Sequence, residues 1–340
     1  MSRYLEYISR EPPPQILNLP PQKPWPFCLR GPEEKFRVYL AGTDYGGSNW
    51  ICGGGRFAVG QVNLVWTTLA TFGPGIYYFA VVLPDGVANR DVFRSFWGWV
   101  QSVLAAVIVV SFFCSALLNP GIVPRQRGWR DFDNDNRTQP LPRYLVINGV
   151  TIIQKFCNTC KIFRPPRSKH CQLCDNCVLR FDHHCPFVGN CIGLHNYRYF
   201  LVLINSASLF LFITIGMTLH VLYLEFGQIN SVANPFARFF WTLAYNPFKD
   251  VFLVYSVFLL LAVLILSVYH SFIVFQNLTT NEHVKNYYEQ DNPFDFGPSR
   301  NCKQVTCYPD RVLAQGTDVI EILNHPPSDY NGDGGSLDDM

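Results

Sequence analysis

Seven of the chain's 12 cysteines fall between Cys157 and Cys191, and four histidines, His170, His183, His184 and His195, are interleaved with or follow them. Thiolates and imidazoles hold zinc, and the same groups serve as nucleophile and base. Cys157-x-x-Cys160 is one close pair, and Cys171-x-x-Cys174-x-x-Cys177 overlaps two more. Such short spacings suit the turns that bring two sulfurs onto one tetrahedral ion. Two closed zinc sites would use about eight ligands, so eleven candidates leave three to spare. A purely structural zinc module needs no spare thiol, whereas a nucleophile must be free of metal. A zinc finger that only binds a partner remains open on these grounds. From Cys157 to Asn196 few large aliphatic side chains occur, so metal binding has to supply much of the folding energy of so small a module.

The elements that must position this cluster are apolar. Hydrophobic residues make up 49% of the 340 residues and charged residues 15%, against about a quarter charged in soluble domains. Phe57–Pro84, Ser95–Pro124, Tyr199–Leu224 and Val251–Asn281 contain no Asp, Glu, Lys or Arg. Each holds the roughly 20 apolar residues that a membrane span requires, although Gly73-Pro74-Gly75 interrupts the first. The expected fold is an all-α polytopic membrane protein with four transmembrane helices. A small zinc-stabilised, cysteine-rich cytosolic module is expected between helices 2 and 3. Met1–Arg56 is polar and Pro-rich and does not read as a signal peptide, so the first span is expected to direct insertion.

Charge orients the spans. Of 27 Lys and Arg residues, only Arg90, Arg94, Arg238 and Lys249 fall in the connections Asp85–Arg94 and Glu225–Asp250. The positive-inside rule then puts both termini and the middle segment in the cytosol, where thiols stay reduced and a cysteine cluster reads as a metal site. The expected organisation is a Pro-rich cytosolic arm (1–56), helices 1 and 2 (57–124), the cytosolic module (125–198), helices 3 and 4 (199–275) and a cytosolic C-terminal region with a disordered acidic tail (276–340). A net charge of +2 gives no basis for nucleic-acid binding.

The run Phe181-Asp182-His183-His184-Cys185-Pro186-Phe187-Val188-Gly189-Asn190-Cys191 strongly resembles the DHHC family of protein S-acyltransferases. The likeness extends from Cys157 through Phe200, including Arg164-Pro165-Pro166-Arg167-Ser168 and Asn196-Tyr197-Arg198. Thr279-Thr280-Asn281-Glu282 matches the family's Thr-Thr-x-Glu motif, and Asn292-Pro293-Phe294-Asp295 with Asn301 resembles its C-terminal element. Asn119-Pro120-Gly121 departs from the family's Asp-Pro-Gly after the second span. Arg37-Val38-Tyr39 and Cys52-Gly53-Gly54-Gly55-Arg56 resemble the Ras-acylating subgroup, some members of which work with a small accessory protein.

The resemblance implies a division of labour. Cys157, Cys160, His170 and Cys177 would hold one structural zinc, and Cys171, Cys174, His184 and Cys191 a second. Cys185 would be the nucleophile, His183 its base and Asp182 the orienter of His183. The implied reaction is transfer of a long-chain acyl group from acyl-CoA (palmitoyl-CoA) through a Cys185 acyl-enzyme to cysteines of membrane-associated proteins. Membrane lipid surrounds the spans, and Golgi or endoplasmic reticulum, with plasma membrane as an alternative, is the expected location. Arg164, Arg167, Lys169 and Arg180 are candidates for the CoA phosphates, with a solvated face or attraction to anionic lipid an equal alternative for most of them. His195 has no assigned role, and His220 and His270 are expected to be interfacial or bundle-facing. A scaffold that binds clients without acylating them is the competing reading.

Overall fold

The computed structural model describes residues 50–52, 57–59, 72–73, 75–83, 92–125, 143–229, 234–245, 247–288, 291–307 and 321–323. Most of the arm, half of the stretch 57–84 and the acidic tail lie outside them. Among the described residues three helices are long and apolar enough to cross a membrane. They are α1 (Val92–Leu117, apolar from Phe96), α2 (Tyr197–Gln228) and α4 (Pro247–Phe275). At about 1.5 Å per residue, the 22 residues Phe96–Leu117 reach about 33 Å, enough for a hydrocarbon layer of about 30 Å. The described end of the weaker first stretch is helical over 75–83, with a π-helical turn at Tyr78–Val82.

α2 packs against both α1 and α4. Polar side chains tie the spans together where lipid offers no partner. Tyr78 donates to Gln101 Oε1, and Gln101 Nε2 donates to Thr214 Oγ1 at 2.9 Å. Ser267 Oγ donates to Asn205 Oδ1 at 2.8 Å, and Lys249 pairs with Glu225. Between the last two spans lies α3 (Pro235–Tyr245).

Outside the spans the described chain is largely short antiparallel ribbons. β1 (Trp50–Cys52) pairs with β2 (Phe57–Val59). β4 (Arg143–Ile147) and β5 (Val150–Gln154) form a hairpin closed by Asn148 and Gly149, both at positive φ, and β12 (Glu321–Leu323) adds to β4. Asn-Gly is the favoured pair for such a two-residue turn. The cysteine-rich segment folds as β6 (Phe156–Cys157) with β7 (Ile162–Phe163), β8 (Lys169–Cys171) with β9 (Asn176–Val178), and β10 (His183–Cys185) with β11 (Asn190–Ile192).

This segment is sewn onto the end of α1. Pro120 cannot continue a helix, and Asn119 Oδ1 accepts from Gly121 N at 2.9 Å and Ile122 N at 2.8 Å. A neutral amide oxygen thus satisfies two backbone donors at the position where the family carries Asp. The chain leaves at once as β3 (Ile122–Val123), which pairs with β9. The open carbonyls at the end of α1 are met from the other side. Asn190 Nδ2 donates to Ala116 O at 3.0 Å and Leu118 O at 3.1 Å, and Asn196 Nδ2 donates to Ser115 O at 2.9 Å. After α4, α5 (Thr280–Val284) opens on a capping box, and α6 (Pro298–Thr306) packs on α4 and α2. Asn301 Nδ2 donates to Phe275 O at 2.7 Å, satisfying a carbonyl at the end of α4.

Candidate active site

The ribbon β10–β11 sorts the site. Side chains alternate faces along a strand, so within His183-His184-Cys185 the first and third point one way and His184 the other. The register sets His184 opposite Cys191. On that face His184 Nδ1 lies 3.7 Å from Cys171 Sγ, 3.3 Å from Cys174 Sγ and 3.6 Å from Cys191 Sγ. A second group forms where β6, β8 and β9 meet, with His170 Nδ1 3.5 Å from Cys157 Sγ, 3.5 Å from Cys160 Sγ and 3.8 Å from Cys177 Sγ. Zinc–sulfur bonds of about 2.3 Å and zinc–nitrogen bonds of about 2.05 Å give N···S edges of about 3.6 Å on a tetrahedron. Both sets therefore fit a tetrahedral zinc ion. His170 Nε2 also reaches Asp175 Oδ1 at 3.4 Å, the kind of carboxylate partner that orients a metal-bound imidazole.

The other face of β10 carries the dyad. His183 Nδ1 lies 2.7 Å from Asp182 Oδ2, although the two residues are adjacent, because Asp182 precedes the strand. His183 also hydrogen-bonds the Cys185 thiol. Cys185 belongs to neither metal-ligating set. It is buried in one apolar cluster with Phe112 and Ala116 of α1, Phe200 and Ile204 of α2, and Val274 of α4. An apolar groove of about 800 Å³ adjoins this cluster, sharing Val274, Leu201 and Cys302 with it.

Asp182 is held from across the chain. Its Oδ1 accepts from Thr280 N and its Oδ2 from Thr280 Oγ1, both at 2.8 Å. Thr279 caps α5 by accepting from Glu282 N, and the Glu282 side chain returns to Thr279 N at 2.8 Å. Glu282 in turn forms a bidentate, buried ion pair with Arg167, at 2.8 Å to Nε and 2.6 Å to Nη2. Thr280 and Glu282 belong to a motif legible in the sequence, and their contacts to Asp182 and Arg167 emerge only in the fold. The capping-box spacing of Thr279 and Glu282 is legible in any sequence, whereas the reach of Thr280 to Asp182 is not.

Electrostatics follow from these contacts. Burial is the largest influence and pushes the Asp182 carboxyl up, but the His183 hydrogen bond and charge and the Thr280 N–H together hold Asp182 below the usual carboxylate range. Burial pushes His183 down, while hydrogen bonds to Asp182 and Cys185 lift it to about 9. Burial raises the Cys185 thiol and the His183 bond lowers it, with a net shift downward. All three shifts favour a thiolate beside an imidazolium.

Two expectations change. Arg167 is fully buried against Glu282 and Asn277, and Arg180 is 2% exposed with its guanidinium over the Tyr197 ring. Neither faces solvent, so neither meets CoA phosphates at a surface. Lys169, half-buried, donates to Asn281 Oδ1 at 2.9 Å. His195 stays outside both metal groups and the dyad. His270 is buried and faces the bundle.

The family model for DHHC palmitoyltransferase matches residues 150–287. Palmitoyltransferase ZDHHC18 of Mus musculus is 34% identical over 302 residues, covering 82% of this chain and 74% of the relative. The chain belongs to the DHHC palmitoyltransferase family. Palmitoyltransferase ZDHHC18-B of Danio rerio is 36% identical over 230 residues, 62% of this chain and 58% of that protein. Probable protein S-acyltransferase 3 of Arabidopsis thaliana is 29% identical over 279 residues, 76% of this chain and 65% of that protein. The chain thus spans less than two thirds of the length of some of its DHHC relatives. The matched region of the DHHC model includes both Cys/His groups, the Asp182–His183–Cys185 line and Thr280.

Proposed function

We propose that this chain is a protein S-acyltransferase that carries a long-chain acyl group on Cys185. The observation that carries the reading is one thiol outside both metal-ligating groups, hydrogen-bonded to a carboxylate-held imidazole and packed among three apolar spans. The Cys185 thiolate attacks the thioester carbonyl of acyl-CoA, forming the acyl-enzyme, and the CoA thiolate leaves with the proton of His183. A substrate cysteine then gives its proton to His183 and attacks the acyl-enzyme, so the acyl group leaves on the substrate and Cys185 returns as a thiolate. Asp182 holds the His183 tautomer and stabilises its cationic form. Zinc on the two Cys/His groups would fix β8 to β11 in place, a structural task.

The architecture supplies the reason for a membrane setting. Drawing a 16-carbon chain into water would cost about 0.8 kcal/mol per CH₂, and the cluster around Cys185 offers apolar surroundings instead. We infer four spans, with 57–84 as the first, cytosolic segments at 1–56, 125–198 and 276–340, and clients that are themselves membrane-associated.

The test is labelling with a clickable palmitate analogue. Wild type should acquire a hydroxylamine-sensitive label and Cys185→Ser none. Equal labelling of both overturns the assignment.

A further inference from the structure

His270 lies on α4, 85 residues beyond the thiol in sequence, and it is 1% exposed. Burying a polar ring inside a span demands partners. One is Tyr197, whose hydroxyl sits 2.9 Å from His270 Nδ1. The ring also lies against the dyad: a ring nitrogen of His270, one of His183 and a carboxylate oxygen of Asp182 all lie within 4.8 Å of one another. Phe200 closes the pocket, edge-on to both imidazoles at 5.0 and 5.2 Å. Tyr197 is itself fixed, buried beneath the Arg180 guanidinium 5.0 Å from its ring.

The Tyr197 contact suits the His270 tautomer in which Nδ1 accepts. A phenol donates readily to an imidazole nitrogen, and the partner of one ring nitrogen sets the protonation of the other. With Nδ1 accepting from Tyr197, the hydrogen sits on Nε2. Asp182 is already bonded to His183 and twice to Thr280, so every donor around it sets where the His183 ring points.

We propose that His270, held in its Nε2–H form by Tyr197, is a positioning residue that supports the Asp182–His183 pair from the membrane side. It touches neither acyl-CoA nor the reacting sulfur. Thr280 of α5 holds the same carboxylate from the other side, and α4 and α5 also meet through Tyr269, whose hydroxyl lies 3.1 Å from His283 Nδ1.

The inference rests on the acyl-enzyme reading above, and the test separates the two. Single-turnover acylation of Cys185 is followed in full-length wild type, His270→Gln, His270→Leu, Tyr197→Phe and the double variant His270→Gln/Tyr197→Phe. Zinc content and thermal unfolding are measured alongside. His270→Leu should slow acylation about tenfold, well within what a misplacement of about 1 Å can cause, with the acyl-CoA concentration for half-maximal rate unchanged. His270→Gln, which keeps a donor, should recover part of the loss. Tyr197→Phe should slow the step about threefold, and the double variant should be no slower than His270→Gln, because groups acting as one unit are not additive. Wild-type rates in His270→Leu, equal rates in Gln and Leu variants, or additive losses in the double variant would each overturn the proposal. Absence of labelling in wild type would instead overturn the acyl-enzyme reading itself. Should His270→Leu fail to retain zinc or fold, Tyr197→Phe, which removes one oxygen only, decides the matter.

Discussion

At the scale of single residues, the dyad depends on hydrogen bonds made by groups distant in sequence. Thr280→Val removes the hydroxyl donor to Asp182 and keeps the shape. A hydrogen bond to a charged group contributes about 1.5–3 kcal/mol, so acylation of Cys185 should fall by about tenfold or more with zinc content unchanged, as read by single-turnover labelling and metal analysis. Arg167→Met leaves Glu282 charged and buried. Breaking one side of such a pair costs about 3–5 kcal/mol, a loss visible as a lowered unfolding temperature. Linkage gives the sign for Glu282: burial, the largest influence, raises its pKa, the Arg167 charge and the hydrogen bonds from Arg167 and Thr279 together overcome it, and the net shift is downward. The stability it contributes is therefore present at neutral pH and lost as pH falls through its folded pKa. The eleven candidate ligands and the spare thiol were legible from composition and spacing. Their division into two sets came from resemblance to the DHHC family, because spacing places neighbours on one ion but does not say which distant pairs join them.

At the scale of elements, a three-residue strand separates the Cys/His group from the proposed nucleophile. His184 and Cys185 are adjacent but stand in different groups because successive side chains of β10 face opposite ways. His184→Ala or Cys174→Ala should release zinc, whereas Cys185→Ser should keep it, as measured by metal content of the purified protein. Loss of zinc from Cys185→Ser would mean that the ligands are wrongly divided. This alternation was available in the sequence as His-x-Cys, but nothing local marks so short a segment as a strand. The hairpin β4–β5 had a stronger signal in Asn148-Gly149, which reading for helices passed over. Thr279→Ala removes the cap of α5 and should cost about 1 kcal/mol, largely restored in Thr279→Ser, by thermal unfolding.

At the scale of the molecule, the zinc-type module and the spans are one packed body. Gly193 shows how closely they meet, since a Cβ there would lie 2.7 Å from Pro120 O, 2.7 Å from Val178 Cγ1 and 2.9 Å from Leu179 O. Two of those atoms are backbone and cannot yield cheaply. Gly193→Ala should therefore depress labelling of Cys185 and the unfolding temperature together, while far-ultraviolet circular dichroism still reports the helices. The apolar spans α1, α2 and α4 were plain in the sequence, because charge-free runs of that length have few other uses. Their joinery was not: Asn190 and Asn196 closing the end of α1, and Asn301 closing α4, are long-range matches that only folding brings together.

Thr280 and Glu282 follow the final span in the chain, and this order has a consequence for biosynthesis. A nascent polypeptide can have every cysteine of the module synthesised, and three of the supports around them, while the segment that steadies Asp182 is still inside the ribosome. The reactive sulfur thus gains its full environment only when membrane insertion is nearly finished. A product truncated before Thr279 would carry every cysteine of the module but lack both Thr280 donors to Asp182.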